Sequence, residues 1–180
     1  MEQLLSSQAV TPAYISLGSN QGDSKAVLEQ ALACFRTHAA QKALPLFQVA
    51  AHSPLYTTEP QLYSEQPYFT NQIVQLNCDT TCTPLALLQY LQSVELALGR
   101  VRTDLRYGPR VIDLDIVLFG DMTVTTDVLT IPHARMHERA FVLVPLCDIA
   151  PNLVTPHGRS IQSLLEALSY SVVENTIFQP

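Results

Sequence analysis

The stretch "IDLDIVLF" sets two carboxylates, Asp113 and Asp115, two positions apart in an otherwise apolar run. On a strand both side chains leave the same face, roughly 7 Å apart along the backbone. Aspartate is a poor strand former, and two of them on a rigid strand make a cradle for Mg²⁺ ions that also take phosphate oxygens. Ile112, Leu114, Ile116 and Leu118 are expected on the opposite face, with Val117 and Phe119 continuing the aspartate face. The competing reading is an ordinary solvated sheet face. Directly upstream, "GRVRTDLRYGPR" crowds Arg100, Arg102, Arg106 and Arg110 into one loop carrying Gly99 and Gly108. Arginines fork onto phosphate oxygens. A closing arginine loop that runs into a metal-binding strand suits triphosphate chemistry, because it brings positive charge onto a group that develops negative charge. The alternative is a solvated loop paired with Asp104 and Glu95.

Other candidates are less pointed. Glu95, with Gln92 one turn earlier, sits beside Arg100 at a helix end, either as a structural ion pair or facing a nucleotide. His133 follows Pro132 at a strand end, with His137 and Arg139 beyond it; near an anion site His133 can donate to phosphate. His38, His52 and His157 have no such company. Phe69, Asn71, Tyr107 and Phe141 could hold a flat heterocycle, since aromatics stack and an amide offers both a donor and an acceptor; the same residues could simply pack a core. Cys78 and Cys82 lack a second pair at ligand spacing, so Cys34, Cys78, Cys82 and Cys147 are read as reduced thiols of a cytosolic protein.

These groups need elements to position them. Residues 13–18 read as a strand that ends in a tight turn at Gly18 to Asn20. Asp23 or Ser24 then caps a helix with the stripe Val27, Leu28, Ala31, Leu32 and Phe35. The opening "LGSNQGDSK" lacks the glycine–lysine–hydroxyl end of a P-loop and the Rossmann spacing. Gly18 is read instead as giving backbone freedom and close approach to a pocket. Residues 47–57 read as a second strand with a proline break, "TEPQLYSEQP" as a loop, and residues 68–78 as a third strand with Phe69, Asn71, Ile73 and Gln75 on one face. Thr83-Pro84 starts a helix with the stripe Leu87, Leu91, Val94 and Leu98, ended by Gly99. The aspartate strand follows, turned by Gly120-Asp121. A short strand "VLTIPH" and helices over roughly 135–144 and 160–169 complete the chain.

Neighbouring strands, the second with the third and the fourth with the fifth, imply hairpins and antiparallel pairing. The expected fold is α+β, a ferredoxin-like α/β sandwich with a mainly antiparallel sheet. The 180 residues suggest one domain, 13–180, behind an extension at 1–12. Sixteen acids against ten lysines and arginines leave a net charge of −6, which argues against general nucleic-acid binding. No apolar run approaches membrane-spanning length, and the start has no basic region or apolar core of a signal peptide. An acidic chain that concentrates arginine in one place is suited to a small anion there.

The motifs together resemble 6-hydroxymethyl-7,8-dihydropterin pyrophosphokinases of the folate pathway, from about Ala13 to about Gly158. The likeness rests on "YISLGSN", "LYTTEP", "QPYFTNQ", "ELALGRVR…YGPRVIDLDIVLFG", "IPHARMHERAFVLVPL" and "DIAP". The resemblance implies transfer of pyrophosphate from ATP to the pterin hydroxymethyl group, releasing AMP. It implies Asp113 and Asp115 as ligands of two Mg²⁺ ions, and Arg100, Arg102 and Arg110 as the catalytic arginine loop. It assigns Gln92, Arg102, Arg110, Ile116, Thr130, His133 and Arg139 to ATP, with Ile116 and Thr130 contributing backbone or side-chain contacts. Thr58, Phe69, Asn71, Tyr107 and Phe141 fall to the pterin, and Glu95 to a place near the reacting groups. Departures from the family pattern are Tyr107 for a common tryptophan, Thr103 for a lysine, Val128 for a basic residue, Tyr68 for an aspartate, and Gln61-Leu62 for an apolar residue and glycine. The reading expects a cytoplasmic monomer acting on ATP and a pterin, with no nucleic-acid or membrane partner. A two-metal nucleotidyltransferase, which would release pyrophosphate, and a non-catalytic ferredoxin-like binding module are the alternatives.

Overall fold

The structure, a computed structural model, describes residues 10–41, 46–61, 65–101 and 108–180. The central strand β1 (Thr11–Ser19) pairs antiparallel with β4 (Phe69–Cys78) on one side and β5 (Asp113–Phe119) on the other. Between β1 and β4 the chain forms helix α1 (Ser24–Gln41), then β2 (Phe47–His52) and β3 (Tyr56–Thr58), which take successive stretches of the same edge of β4. The proline break separates them as the sequence suggests: Pro54 has no N–H to give, and Ser53 makes the last link to β4, its N–H donating to Ile73 O at 2.9 Å and its hydroxyl accepting from Ile73 N–H at 3.1 Å. Helix α2 (Pro84–Ala97) connects β4 to β5. Its first turn is capped by Thr83, whose hydroxyl accepts from Ala86 N–H at 3.1 Å, and α1 is capped by Asp23, whose carboxylate accepts from Ala26 N–H at 3.1 Å.

Beyond β5 come a small separate hairpin, β6 (Val124–Thr125) with β7 (Thr130–Ile131), and helices α3 (Ala140–Ile149) and α4 (Ile161–Glu166). The chain closes with a hairpin, β8 (Ser171–Val173) and β9 (Thr176–Phe178), whose β9 lies parallel to β3. The expected α+β class and mainly antiparallel sheet hold. The sheet has seven strands, in the order β5-β1-β4-β3-β9-β8 with β2 also on β4.

Both sheet faces are covered. Ala13, Ile15, Leu17, Val74, Leu76, Leu114 and Ile116 pack against Leu28, Ala31, Phe35, Leu87 and Leu91 of α1 and α2. On the other face Tyr14, Ile73, Val117 and Leu118 meet Val142, Leu143 and Leu146 of α3 and Ile161 and Leu164 of α4. Burying both faces of the strands explains their near-continuous apolar runs.

Four expectations change. Strict alternation along β5 fails after Ile116: Ile15 pairs with Ile116 but Tyr14 pairs with Leu118, so Val117 is an extra, bulged residue. Leu118 therefore joins the aspartate face and Phe119 the opposite one, the reverse of the expected placement. The fourth and fifth strands do not form a hairpin, because β5 pairs with β1 and β7 with β6. The helix expected at 135–144 is instead a short 3-10 turn, Met136–Glu138, an extended Arg139, and α3 starting at Ala140. Ala140 N–H bonds the side chain of Gln179 at 2.8 Å, a partner 39 residues away that no local pattern announces. The turn after β1 lies at Gln21–Asp23 with Gly22 at φ +69°, since Gly18 and Ser19 are still in the strand.

Candidate active site

The site grows from two rows of residues across the α3 face of the sheet. In one row Asp113, Gly18 and Asn71 lie side by side on β5, β1 and β4; in the next, Asp115, Ser16 and Ile73 do. The central strand contributes only small side chains, Ser16 and Gly18, so space remains between the aspartates and Asn71. That space is a cavity of about 250 Å³ whose walls include Thr58, Phe69, Asn71, Arg110, Asp113, Asp115, Arg139 and Phe141. All eight are residues that the sequence points to, drawn from five different elements and loops. Gly18 is needed for close approach: a Cβ there would stand 3.1 Å from Asn71 Oδ1. Its φ is not in the left-handed region, so backbone freedom is not what the position uses.

One side of the cavity is charged. Arg100 Nη1 binds Asp113 Oδ1 at 2.7 Å and pairs with Glu95 Oε1; Arg110 Nη1 binds Asp113 Oδ2 at 2.6 Å. Glu95 is buried, and its Oε1 also accepts from Leu114 N–H at 2.7 Å. Burial pushes the Glu95 carboxyl up, against the pull of Leu114 N–H and Arg100. Glu95 thus ties α2, Arg100 and the start of β5 together, in agreement with the ion-pair reading. Asp115 differs from Asp113: among the described residues its carboxylate makes no hydrogen bond or ion pair. Its carboxyl is pushed up to about 7, first by burial and then by the charge of Asp113.

The other side carries the aromatic rings and the amide. Asn71 Nδ2 donates to Thr58 Oγ1 at 2.7 Å, with both residues buried. The Arg110 guanidinium lies 5.8 Å from the Phe69 ring centre and that of Arg139 lies 5.5 Å from Phe141, so both rings also lean on cations.

His133 and Thr130 do not line this cavity. With Pro132, Ala134, Met136 and Thr155, among others, they line an adjacent one of about 390 Å³. The bulge in β5 helps place His133, because Val117 O accepts from His133 N–H at 2.9 Å. Burial first, then Arg139, push the His133 imidazole down to about 4, so it is neutral at pH 7. Its Nδ1 accepts from Arg135 N–H at 3.2 Å, which puts the proton on Nε2 and makes that atom a neutral donor.

Two expected residues fall elsewhere. The Ile116 side chain is buried on the opposite face, which leaves only its backbone for any contact here. Gln92 is exposed on α2 and lines neither cavity. Arg102 and Tyr107, with Thr103 and Leu62, lie outside the described residues. Among the described residues no third His, Cys, Asp or Glu joins the aspartates to complete a metal-binding group. The sequence reading missed Asn20, which is 3% exposed. Its Oδ1 accepts from Arg110 N–H at 2.8 Å and its Nδ2 donates to Gln66 Oε1 at 2.9 Å and Pro67 O at 3.1 Å. It staples the end of the arginine segment to the loop before β4. The only sequence signal was a small amide at a strand end.

The profile of the family described as 7,8-dihydro-6-hydroxymethylpterin-pyrophosphokinase (HPPK) matches residues 14–151. The 2-amino-4-hydroxy-6-hydroxymethyldihydropteridine pyrophosphokinase of Pseudomonas aeruginosa is 44% identical over 161 residues, covering 89% of this chain and 94% of that protein. The protein of the same name from Methylorubrum extorquens is 43% identical over 165 residues, covering 92% and 98%. A crystal structure of an HPPK-DHPS in complex with substrates shares the fold at TM-score 0.66 and 15% identity, covering 94% of this chain; this chain spans 48% of that one. The chain belongs to the 7,8-dihydro-6-hydroxymethylpterin-pyrophosphokinase family, enzymes of folate biosynthesis.

Proposed function

We propose that this chain transfers the pyrophosphoryl group of ATP to the hydroxymethyl group of 6-hydroxymethyl-7,8-dihydropterin, releasing AMP, with two Mg²⁺ ions. One observation carries the reading: an acid-and-arginine wall and a neutral aromatic-and-amide wall face each other across a single cavity. The neutral wall takes the pterin, with Phe69 and Phe141 offering apolar faces and the Thr58–Asn71 pair offering a ring edge a donor and an acceptor. The charged wall takes the triphosphate. Arg110 and Arg139 fork onto its oxygens, and Arg100 holds Asp113 in place from behind.

The donor set fits a hard divalent cation. Two carboxylates share one strand face, and Asp115, which has no ion pair among the described residues, carries a charge that its burial disfavours. Bound there, Mg²⁺ would neutralise the phosphate oxygens and favour attack at phosphorus. The alcohol attacks the β-phosphorus in line as the bond to the α-phosphate oxygen breaks. Asp113, fixed by two arginines, would orient that alcohol. His133 offers its neutral Nε2–H to the nucleotide from the adjacent cavity, beside Thr130; Arg102 and Tyr107 belong to the same reading as nucleotide and pterin contacts.

The core order β1-α1-β2/β3-β4-α2-β5, with strands lying β5-β1-β4-β2, supports a ferredoxin-like description of the fold. The reading also takes the chain as a cytoplasmic monomer without nucleic-acid or membrane partners, in keeping with its net charge of −6. Among the described residues no helix is long and apolar enough to cross a membrane.

The test is chromatography of nucleotides after mixing the protein with ATP, Mg²⁺ and the pterin. Pterin-dependent AMP is expected. ADP, no pterin-dependent AMP, or release of pyrophosphate with AMP joined to the pterin alcohol would reject the reading.

A further inference from the structure

The residues after β9 return to the cavity wall. There Gln179 makes three hydrogen bonds to two separate parts of the chain. Its Oε1 accepts from Ala140 N–H at 2.8 Å and from Gln61 Nε2 at 3.0 Å, and its Nε2 donates to Glu138 O at 2.7 Å. The backbone partners fix the amide: only the oxygen can serve an N–H, and only the nitrogen can serve a carbonyl.

The two parts it joins are both walls of the site. Ala140 opens α3 between Arg139 and Phe141, and Gln61 lies in the loop that leaves β3 after Thr58; Arg139, Phe141, Thr58 and Gln61 all line the main cavity. Thr58, Gln61, Phe141, Ile177 and Gln179 also border one small cleft where the walls meet. Beneath it, Ile177 of β9 registers with Thr58 of β3. Gln61 is one of the positions where the chain departs from the family's pattern, and its partner is a residue of the C-terminal segment.

We propose that Gln179 is a positioning residue that sets the width of the cavity on its aromatic-and-amide side, by holding the Thr58–Gln61 segment against the start of α3. This rests on the assignment of that side to the pterin. Gln179 does not line the main cavity and bonds neither the aspartates nor Arg110, and its bond to Gln61 reaches only the pterin side, so Gln61→Ala separates that effect from any on Arg139, which the bonds to Glu138 and Ala140 flank.

The experiment is steady-state kinetics with each substrate varied, together with Tm, on Gln179→Ala, Gln61→Ala, the double variant and Gln179→Glu, with Asn71→Ala as reference. Losing the single Gln61–Gln179 hydrogen bond predicts a rise in pterin KM of about five- to tenfold in Gln61→Ala, and at least as large a rise in Gln179→Ala, which also loses the bonds to Ala140 and Glu138. ATP KM and kcat are expected to stay within about twofold. The double variant should match Gln179→Ala alone, since both changes break the same link. Gln179→Glu keeps the acceptor for Gln61 but sets an oxygen against Glu138 O, so it should lower Tm while raising pterin KM less than alanine does. An unchanged pterin KM in Gln61→Ala, additive effects in the double variant, or both KM values rising together with a lowered Tm would overturn the proposal. If Gln179→Ala does not fold, Gln61→Ala decides alone. A raised pterin KM in Asn71→Ala with unaltered glutamine variants defeats only this inference; an unaltered Asn71→Ala defeats the pterin assignment and the inference with it.

Discussion

At the scale of residues, the two aspartates are equivalent in sequence and unequal in space. Asp113 is neutralised by Arg100 and Arg110, whereas Asp115 has its carboxyl pushed from 3.8 up to about 7 by burial and by Asp113. The sign follows from linkage. A folded-state value above the ordinary one means the folded chain holds a proton that the unfolded chain has released. Stability therefore declines as pH rises from about 4 through about 7. A divalent cation beside Asp115 offsets that loss only where the carboxylate is ionised. Mg²⁺ should therefore raise Tm more at pH 8 than at pH 5, measured by thermal denaturation at matched ionic strength. Equal increments at the two pH values would remove Asp115 as the cation's ligand. The types and spacing of the two acids were legible in the sequence, but their inequality was not, because it depends on arginines that bond Asp113 directly and act on Asp115 only through space.

At the scale of elements, β1 matters for what it lacks. Gly18 and Ser16 hollow the sheet surface between β4 and β5, and Gly18 lets Asn71 come close. Gly18→Ala puts a Cβ at 3.1 Å from Asn71 Oδ1, so the Asn71 amide must give by a few tenths of an ångström, which disturbs its bond to Thr58. The expected result is a pterin KM raised about fivefold or more, the scale of one hydrogen bond, with little change in ATP KM; equal effects on both substrates would contradict the division of the cavity. Thr83→Ala, which removes the α2 cap far from the cavity, should cost about 1 kcal/mol of stability and leave both KM values alone. Caps, stripes and the proline break were readable because they are local. The β5 bulge, the late start of α3 and the closing hairpin were not, since each depends on a partner distant in the chain: Tyr14 and Ile15 for the bulge, Gln179 for α3, β3 for β9.

At the scale of the molecule, a chain of net charge −6 gathers Arg100, Arg110, Arg135 and Arg139 around one site. Attraction between that site and a polyanion is screened by salt, whereas binding of a neutral pterin is not. Raising ionic strength from about 0.05 to about 0.3 M should weaken ATP binding several-fold and leave pterin binding nearly unchanged. Equal salt dependence for both ligands would argue against separate charged and neutral walls. Ordered segments remote in sequence meet at the site: the end of β1, the loop after β3, the start of β4, β5 and the start of α3.

By itself the sequence determined the chemistry available and the elements that carry it: paired aspartates on a strand, arginines before them, an amide and aromatics for a flat ring, and helices with their caps. Side-chain type and short-range periodicity decide these things, and both are written along the chain. Only the tertiary structure decided which of the candidates share a cavity. It brought Asn71, Phe141 and Asp113 together, turned Leu118 onto the aspartate face, set His133 and Thr130 in a neighbouring cavity, and used Asn20 and Gln179 as ties between walls. Those outcomes depend on strand register, on one extra residue in β5 and on hydrogen bonds across 39 to 118 positions of chain, distances over which residue pattern carries no direction.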